Sequence, residues 1–246
     1  MPKWNEAQVV KITNETASTR RFWLAPSPEA DSSFVPGQFV VLDLPIHETR
    51  QKRWRSYSIA NAPSEDNTLE LCIVKLEGGA GTTYLFDEVK EGSSLKFKKP
   101  SGVFTLRQPI DRDLVLICTG TGVAPFRSMI HNIYQQDIPH KNIHLIFGTR
   151  TKEDILYLEE FEELATKEKS FSYAIGLSRT EALPTDRVAI NWHKGYVHDI
   201  YMSKYADVRE DIQFLICGWQ NMVDEAQAKL KSIGYTDAQV KVELCG

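Results

Sequence analysis

The apolar residues of this chain change rhythm once, near residues 107–112, and that change restricts the fold more than any other feature. Before it, apolar runs are short, rich in Val, Ile, Phe and Trp, and separated by turn-forming clusters such as Thr13-Asn14-Glu15-Thr16 and Asn61-Ala62-Pro63-Ser64. They predict strands at 7–13, 19–25, 38–44, 54–60, 69–75 and 95–99, a spacing that suits an antiparallel β-barrel or sandwich. A short helix is expected over 82–89, opened by Gly78-Gly79-Ala80-Gly81. After Pro109, five compact apolar strands at 114–118, 143–147, 171–175, 214–217 and 240–244 alternate with helical patterns, which is the rhythm of a parallel α/β sheet. Phe126, Ile130 and Ile133 share one helical face, Tyr157, Phe161 and Leu164 a second, and Val223, Ala226, Leu230 and Ile233 a third. Thr151 and Asp154 resemble a capping box at the start of the second helix.

Two domains are therefore expected, 1–108 as an antiparallel β-barrel and 109–246 as an α/β nucleotide-binding unit, with 107–112 as the linker. Length supports this, since 246 residues exceed what most single cores need. Charge does too: residues 1–110 carry fourteen basic and thirteen acidic side chains, whereas residues 111–246 carry fifteen and twenty. A net charge of −4 gives no attraction to nucleic acid or anionic lipid. Cys72, Cys118, Cys217 and Cys245 are too scattered for structural zinc or an iron–sulfur cluster, so reduced thiols are expected. The start carries no apolar leader, and no run of about 18 apolar residues occurs, so the expectation is a cytoplasmic chain without a membrane partner.

The segment Leu114 to Phe126 runs from a buried strand through Thr119-Gly120-Thr121-Gly122 into a helix. Gly120 and Gly122 would let the backbone approach a pyrophosphate, whose charge the helix N-terminus favours, although a tight βα turn needs the same residues. Pro125 stands where the usual dinucleotide fingerprint has its third glycine, and the second strand ends Phe147-Gly148-Thr149-Arg150 without an acidic residue, so the standard NAD fingerprint fails. In the first half, Arg53-Trp54-Arg55-Ser56-Tyr57-Ser58 mixes guanidinium, ring and hydroxyl groups on a strand. By alternation Arg55 and Tyr57 share one face, and Ser56 and Ser58 the other. Such a strand can hold a flat phosphate-bearing redox cofactor, or can be a charged sheet edge.

Arg55-Ser56-Tyr57-Ser58, Gly78 to Leu85, Gly120 to Phe126, Cys217-Gly218 and Val242-Glu243, in this order and spacing, resemble the ferredoxin–NADP reductase family over nearly the whole chain. The resemblance implies FAD bound to the barrel: Arg55 on its pyrophosphate, Tyr57 stacked on the isoalloxazine, Ser58 near N5, and Gly81, Thr82 and Thr83 at the phosphates. It implies a nicotinamide cofactor whose pyrophosphate lies against Gly120 to Pro125, with Cys217 and Glu243 beside the nicotinamide. Ser178 and Arg179 match the pair that contacts the 2′-phosphate, which favours NADP(H) over NAD(H), and Arg150 lies at the end of the preceding strand. Hydride transfer would make Ser58, Cys217 and Glu243 the residues closest to the chemistry. Cys217 would otherwise be a core cysteine, Glu243 a surface carboxylate, and Arg179 a loop arginine.

Family members usually close with an aromatic residue over the flavin; here Cys245 takes that position. No ferredoxin-like segment is present, so a separate ferredoxin, flavodoxin or similar carrier is the expected partner, and Arg50, Lys52, Arg53, Lys96, Lys98 and Lys99 could face it. The alternatives are an NADH-dependent reductase component supplying an oxygenase or cytochrome, and a non-catalytic flavin or dinucleotide sensor.

Overall fold

The computed structural model describes residues 4–245. Contacts divide the chain into two compact units, one ending at Leu106 and including Ala124–Asp137, the other formed by Arg107–Val123 and the chain from Ile138 onward. The segment Ala124–Asp137, most of it helical, thus groups with the first unit, although it follows the first strand of the second.

The first unit is an antiparallel sheet of β1 (Trp4–Asn14), β2 (Thr19–Pro26), β3 (Phe39–Asp43), β4 (Trp54–Ser58), β5 (Leu69–Val74) and β6 (Ser94–Lys98), with helix α1 (Ala80–Asp87) between β5 and β6. The sheet order is β4-β3-β6-β1-β2-β5, and a bridge between Ile59 and Leu71 joins the last strand to the chain leaving the first. The sheet therefore curls into the expected barrel, which removes its free edges. Val9, Phe22, Leu24, Val40, Leu42, Leu71 and Phe97 fill its interior. Along β1 Asn5, Ala7 and Val9 are buried while Glu6, Gln8 and Val10 are exposed; a register shift between Val9 and Lys11 then breaks the alternation and leaves Lys11 exposed as well.

The second unit is a parallel sheet in the order β10-β9-β8-β7-β11-β12, built from β7 (Asp113–Thr119), β8 (Ile143–Thr149), β9 (Phe171–Leu177), β10 (Ile190–Lys194), β11 (Ile212–Gly218) and β12 (Val240–Leu244). Leu114 to Cys118 are buried without a gap, as expected of a strand covered on both faces. Helix α2 (Val123–Gln135) follows β7, α3 (Leu158–Lys167) follows β8, α4 (Val197–Lys204) follows β10 and α5 (Gln220–Ser232) follows β11. Helices α4 and α5 pack Val197, Ile200, Tyr201, Val223, Ala226 and Leu230 against Val115, Ile117, Phe214 and Ile216. Phe161 of α3 meets Tyr173, which alternates with Ala174 along β9 and so lies on the opposite face.

Three local expectations need correction. The parallel sheet has a sixth strand, β10, followed by α4; β10 is a five-residue edge strand carrying Asn, His and Lys, which weakens its apolar signal. Thr151 and Asp154 do not start α3: they bracket a separate short turn, Thr151 Oγ1 lying 3.1 Å from Asp154 Oδ2. Tyr157 precedes α3 in a left-handed conformation (φ 54°) instead of belonging to its face. Among the described residues, no helix is long and apolar enough to cross a membrane.

Candidate functional site

In the barrel, β4 pairs with β3 in regular register, setting Arg55 opposite Leu42, Ser56 opposite Val41, Tyr57 opposite Val40 and Ser58 opposite Phe39. Ser56 is exposed; Tyr57 is half-buried against the barrel core, and burial pushes its hydroxyl up to about 12 despite the opposing effect of Arg55. That hydroxyl stays protonated, and its ring serves as a neutral surface. Arg55 curls so that Nη1 donates to the carbonyls of Trp54 at 2.8 Å and Lys52 at 3.0 Å. Its stem lies on Gly81: a Cβ built there would come within 2.9 Å of Arg55 Cγ. Strand β4 and the start of α1 thus meet through one guanidinium and one glycine.

Gly79 caps α1, and Thr83 N–H donates to its carbonyl at 2.9 Å. The amides of Ala80, Gly81 and Thr82 are the ones an α-helix cannot satisfy internally, which makes this end receptive to phosphate. The Thr82 hydroxyl is otherwise engaged, 3.0 Å from the Gly79 carbonyl and 3.1 Å from the Leu76 N–H that it accepts. Its side chain therefore shapes the turn, and its backbone N–H is what it can offer a ligand.

In the parallel sheet the chain builds outward from β7 to β8, β9 and β10, then returns to the other side for β11 and β12. The switch point lies between β7 and β11, where open α/β sheets hold ligands beyond the strand ends. Thr119 ends β7, Gly120 turns the chain at φ 52°, and Gly122 leads into α2. A Cβ on Gly122 would stand 2.3 Å from the Cys217 carbonyl oxygen, and one on Gly218 would stand 2.4 Å from Thr119 Oγ1. Close packing of this turn on β11 thus demands both glycines. Thr121 lies inside the turn, and Pro125, in the first turn of α2, removes a donor the helix could not have used internally.

Cys217 pairs in register with Cys118 on one side and Glu243 on the other. Both cysteines are fully buried, and desolvation pushes their thiols well up. Glu243 Oε2 is buried without a hydrogen-bond partner among the described residues, and burial raises this carboxyl to about 7. Thr119 Oγ1 is likewise buried and unpartnered. Two orphaned polar atoms beside a glycine turn fit a polar ligand better than a closed core. Cys245 N–H donates to the Gly218 carbonyl at 2.9 Å, and its sulfur lies 2.9 Å from that of Cys217.

Arg150 and Arg179 follow β8 and β9, whose ladder continues past their ends: Ser178 N–H donates to Thr149 O at 3.0 Å and Arg179 N–H to Arg150 O at 2.8 Å. Both guanidiniums are exposed, and among the described residues neither pairs with a carboxylate. The six basic residues expected to face a partner are partly neutralised by the chain itself, through Arg53–Asp43, Lys96–Glu6 and Lys99–Asp31, while Lys98 lies over Trp54. The sequence reading missed Trp219, half-exposed with its Nε1 3.8 Å from where a Gly120 Cβ would stand; an aromatic directly after Cys217-Gly218 was the available signal.

Two domain families match along the chain. Residues 6–106 match the oxidoreductase FAD-binding domain and residues 116–228 the oxidoreductase NAD-binding domain. The anthranilate 1,2-dioxygenase electron transfer component of Acinetobacter baylyi is 29% identical over 85% of this chain and 57% of its own length. Ferredoxin–NADP reductase B of Sorangium cellulosum is 37% identical over 59% of this chain and 58% of its own. The chain thus spans a little over half the length of these curated relatives. A ferredoxin NADP+ reductase from Neisseria gonorrhoeae, solved with bound FAD and NADP, superposes with a TM-score of 0.81 at 25% identity, covering 99% of both chains. The glycine turns at Gly81 and at Gly120–Gly122 of this chain, with the orphaned Thr119 and Glu243 oxygens, are compatible with FAD and a nicotinamide dinucleotide, and with both domain families present in this order the chain belongs to the ferredoxin–NADP reductase family of flavoprotein reductases.

Proposed function

We propose that this chain prefers NADPH and uses FAD to pass electrons to a ferredoxin, flavodoxin or similar carrier protein. When bound, the nicotinamide supplies a hydride, and the flavin accepts it and returns electrons singly or in pairs. The chain's own residues bind and orient. Arg55 and the first amides of α1 hold the flavin phosphates; Tyr57 offers its neutral ring, and Ser58 a hydroxyl at the ring edge. The turn from Thr119 to Gly122 takes the second pyrophosphate, while Cys217 and Glu243 border the nicotinamide.

The observation that supports the coenzyme preference is the pair of exposed guanidiniums, Arg150 and Arg179, just past adjacent strand ends, the latter beside Ser178 in sequence and, among the described residues, neither paired with a carboxylate. A 2′-phosphate gains charge-assisted hydrogen bonds there, whereas a 2′-hydroxyl calls for an acidic acceptor. The test is steady-state reduction of ferricyanide with NADPH and with NADH, followed by the carrier proteins as acceptors. A higher kcat/KM with NADH removes the preference. Colourless protein that cannot be loaded with FAD removes the whole reading.

A second reading is an NADH-using reductase component for an oxygenase. It draws on relatives named as dioxygenase electron transfer components and on the self-neutralised basic residues, which leave less free charge for an acidic carrier. Oxygenase-coupled turnover with NADH would favour it.

A further inference from the structure

The sulfurs of Cys217 and Cys245 lie 2.9 Å apart. Even carbon atoms settle at roughly 3.5–4.0 Å, and sulfur is larger, so the two thiols press on each other. The contact arises where the chain leaves β12: Gly218 pairs with Leu244, and Cys245 N–H then donates to the Gly218 carbonyl, which lays Cys245 across the end of β11. The partners differ in access. Cys217 is fully buried, whereas Cys245 is only partly so. Cys118 completes the neighbourhood from β7, directly opposite Cys217 in register, but it too is fully buried.

We propose that Cys217 and Cys245 are a peroxide-sensitive dithiol, in which Cys245 meets the oxidant and Cys217 resolves it as an intramolecular disulfide. The Cys245 thiolate attacks one peroxide oxygen, forming a sulfenic acid and releasing hydroxide. The Cys217 sulfur then attacks the Cys245 sulfur; its proton and the departing hydroxyl leave as water, and the S–S bond forms. Two thiols lose two electrons, hydrogen peroxide gains them, and two waters result. The buried partner needs no access to solvent, because its contact with Cys245 is already made. The sulfurs must close from 2.9 Å to about 2.05 Å, a short movement for a residue just past the final strand.

The consequence for activity rests on the reading of Cys217 as a neighbour of the nicotinamide. Oxidation would bind that sulfur to the tail and remove its thiol, switching the site off.

The test treats the full chain with hydrogen peroxide, denatures it in the presence of N-ethylmaleimide and measures intact mass. The expected result is two alkylated thiols instead of four, with tryptic peptides 210–229 and 242–246 joined and released by dithiothreitol. Cys245→Ser should keep Cys217 alkylatable after denaturation. A cross-link to Cys118, a Cys245–Cys245 dimer, or Cys245 oxidised while Cys217 remains alkylated would each overturn the proposal. Turnover gives a separate reading: peroxide should cut wild-type activity about tenfold, reversibly, and leave Cys245→Ser near its own untreated value. If the chain shows no reductase activity at all, the mass measurement still decides the dithiol.

Discussion

Arg127 of α2 donates through Nη1 to Oε2 of Glu70 on β5 at 2.9 Å, with both side chains almost wholly buried. The same nitrogen reaches the Ala60 carbonyl at 2.9 Å, Arg21 Nε donates to the other Glu70 oxygen at 2.7 Å, and Ser128 Oγ donates to the Asn61 carbonyl at 2.6 Å. These bonds tie α2 to the barrel and explain why a helix that follows β7 in sequence belongs with the first unit.

Removing one partner of such a pair leaves the other charge under-compensated in the interior. Arg127→Ala should destabilise by about 3 kcal/mol, lowering the melting temperature by roughly 6–12 °C. Arg127→Met combined with Glu70→Leu should recover part of that loss, because two apolar groups desolvate without penalty while Arg21, deprived of Glu70, keeps Glu15 at 3.4 Å. Thermal unfolding by circular dichroism checks both; a single variant within a degree of wild type would show that the pair carries no weight.

Gly122 and Gly81 make opposite predictions. A methyl on Gly122 meets the backbone oxygen of Cys217, which cannot yield, so Gly122→Ala should cost about 1–3 kcal/mol and weaken dinucleotide binding. A methyl on Gly81 meets the flexible stem of Arg55, so Gly81→Ala should leave stability nearly unchanged while weakening FAD by roughly tenfold as the guanidinium shifts. Denaturant midpoints and flavin fluorescence titration separate the two effects.

Glu243 makes stability depend on pH. Burial raises its carboxyl from 4.5 to about 7, so between those values the folded chain keeps a proton that the unfolded chain has released. Its neutral form is tolerated in full below the lower value, and stability is lost as pH rises through about 7. After allowance for solvent screening, Glu243→Gln should gain on the order of 1 kcal/mol over wild type near pH 8 and nothing near pH 4.5. Chemical denaturation at the two pH values is the measurement, and a gain confined to the acid side would contradict the burial argument.

Arg179→Ala should lower the ratio of NADPH to NADH efficiency about ten- to a hundredfold by removing one charge-assisted phosphate contact. Arg150→Ala should act in the same direction, since Arg150 leaves the neighbouring strand end beside Arg179 and its exposed guanidinium offers a second charged donor. A ratio that moves with neither variant would return both to ordinary loop positions.

The strands and most helices were legible because burial imposes period two on the barrel and uninterrupted apolar runs on the parallel sheet. Gly120, Gly122 and Cys217-Gly218 were legible as motifs for a related reason: a βα turn of this kind tolerates few residues. Strand β10 was not, since an edge strand buries one residue in five and so carries little pattern. Helix α4, with His198, Asp199, Ser203 and Lys204 among its eight residues, hides its apolar face in the same way.

The sequence by itself determined the fold class, an antiparallel sheet followed by a parallel α/β sheet, and the glycine turns between strand and helix, all of which depend on local spacing and side-chain type. Only the tertiary structure decided that Gly122 is required by the Cys217 carbonyl, that the Thr82 hydroxyl is used up within its own turn, that Arg127 belongs to the barrel, and that Cys245 touches Cys217. Apart from the Thr82 turn, these relationships join residues far apart along the chain. They depend on which strand ends beside which in the completed sheet and on how closely the backbones approach, and neither quantity has a periodic signature in the sequence.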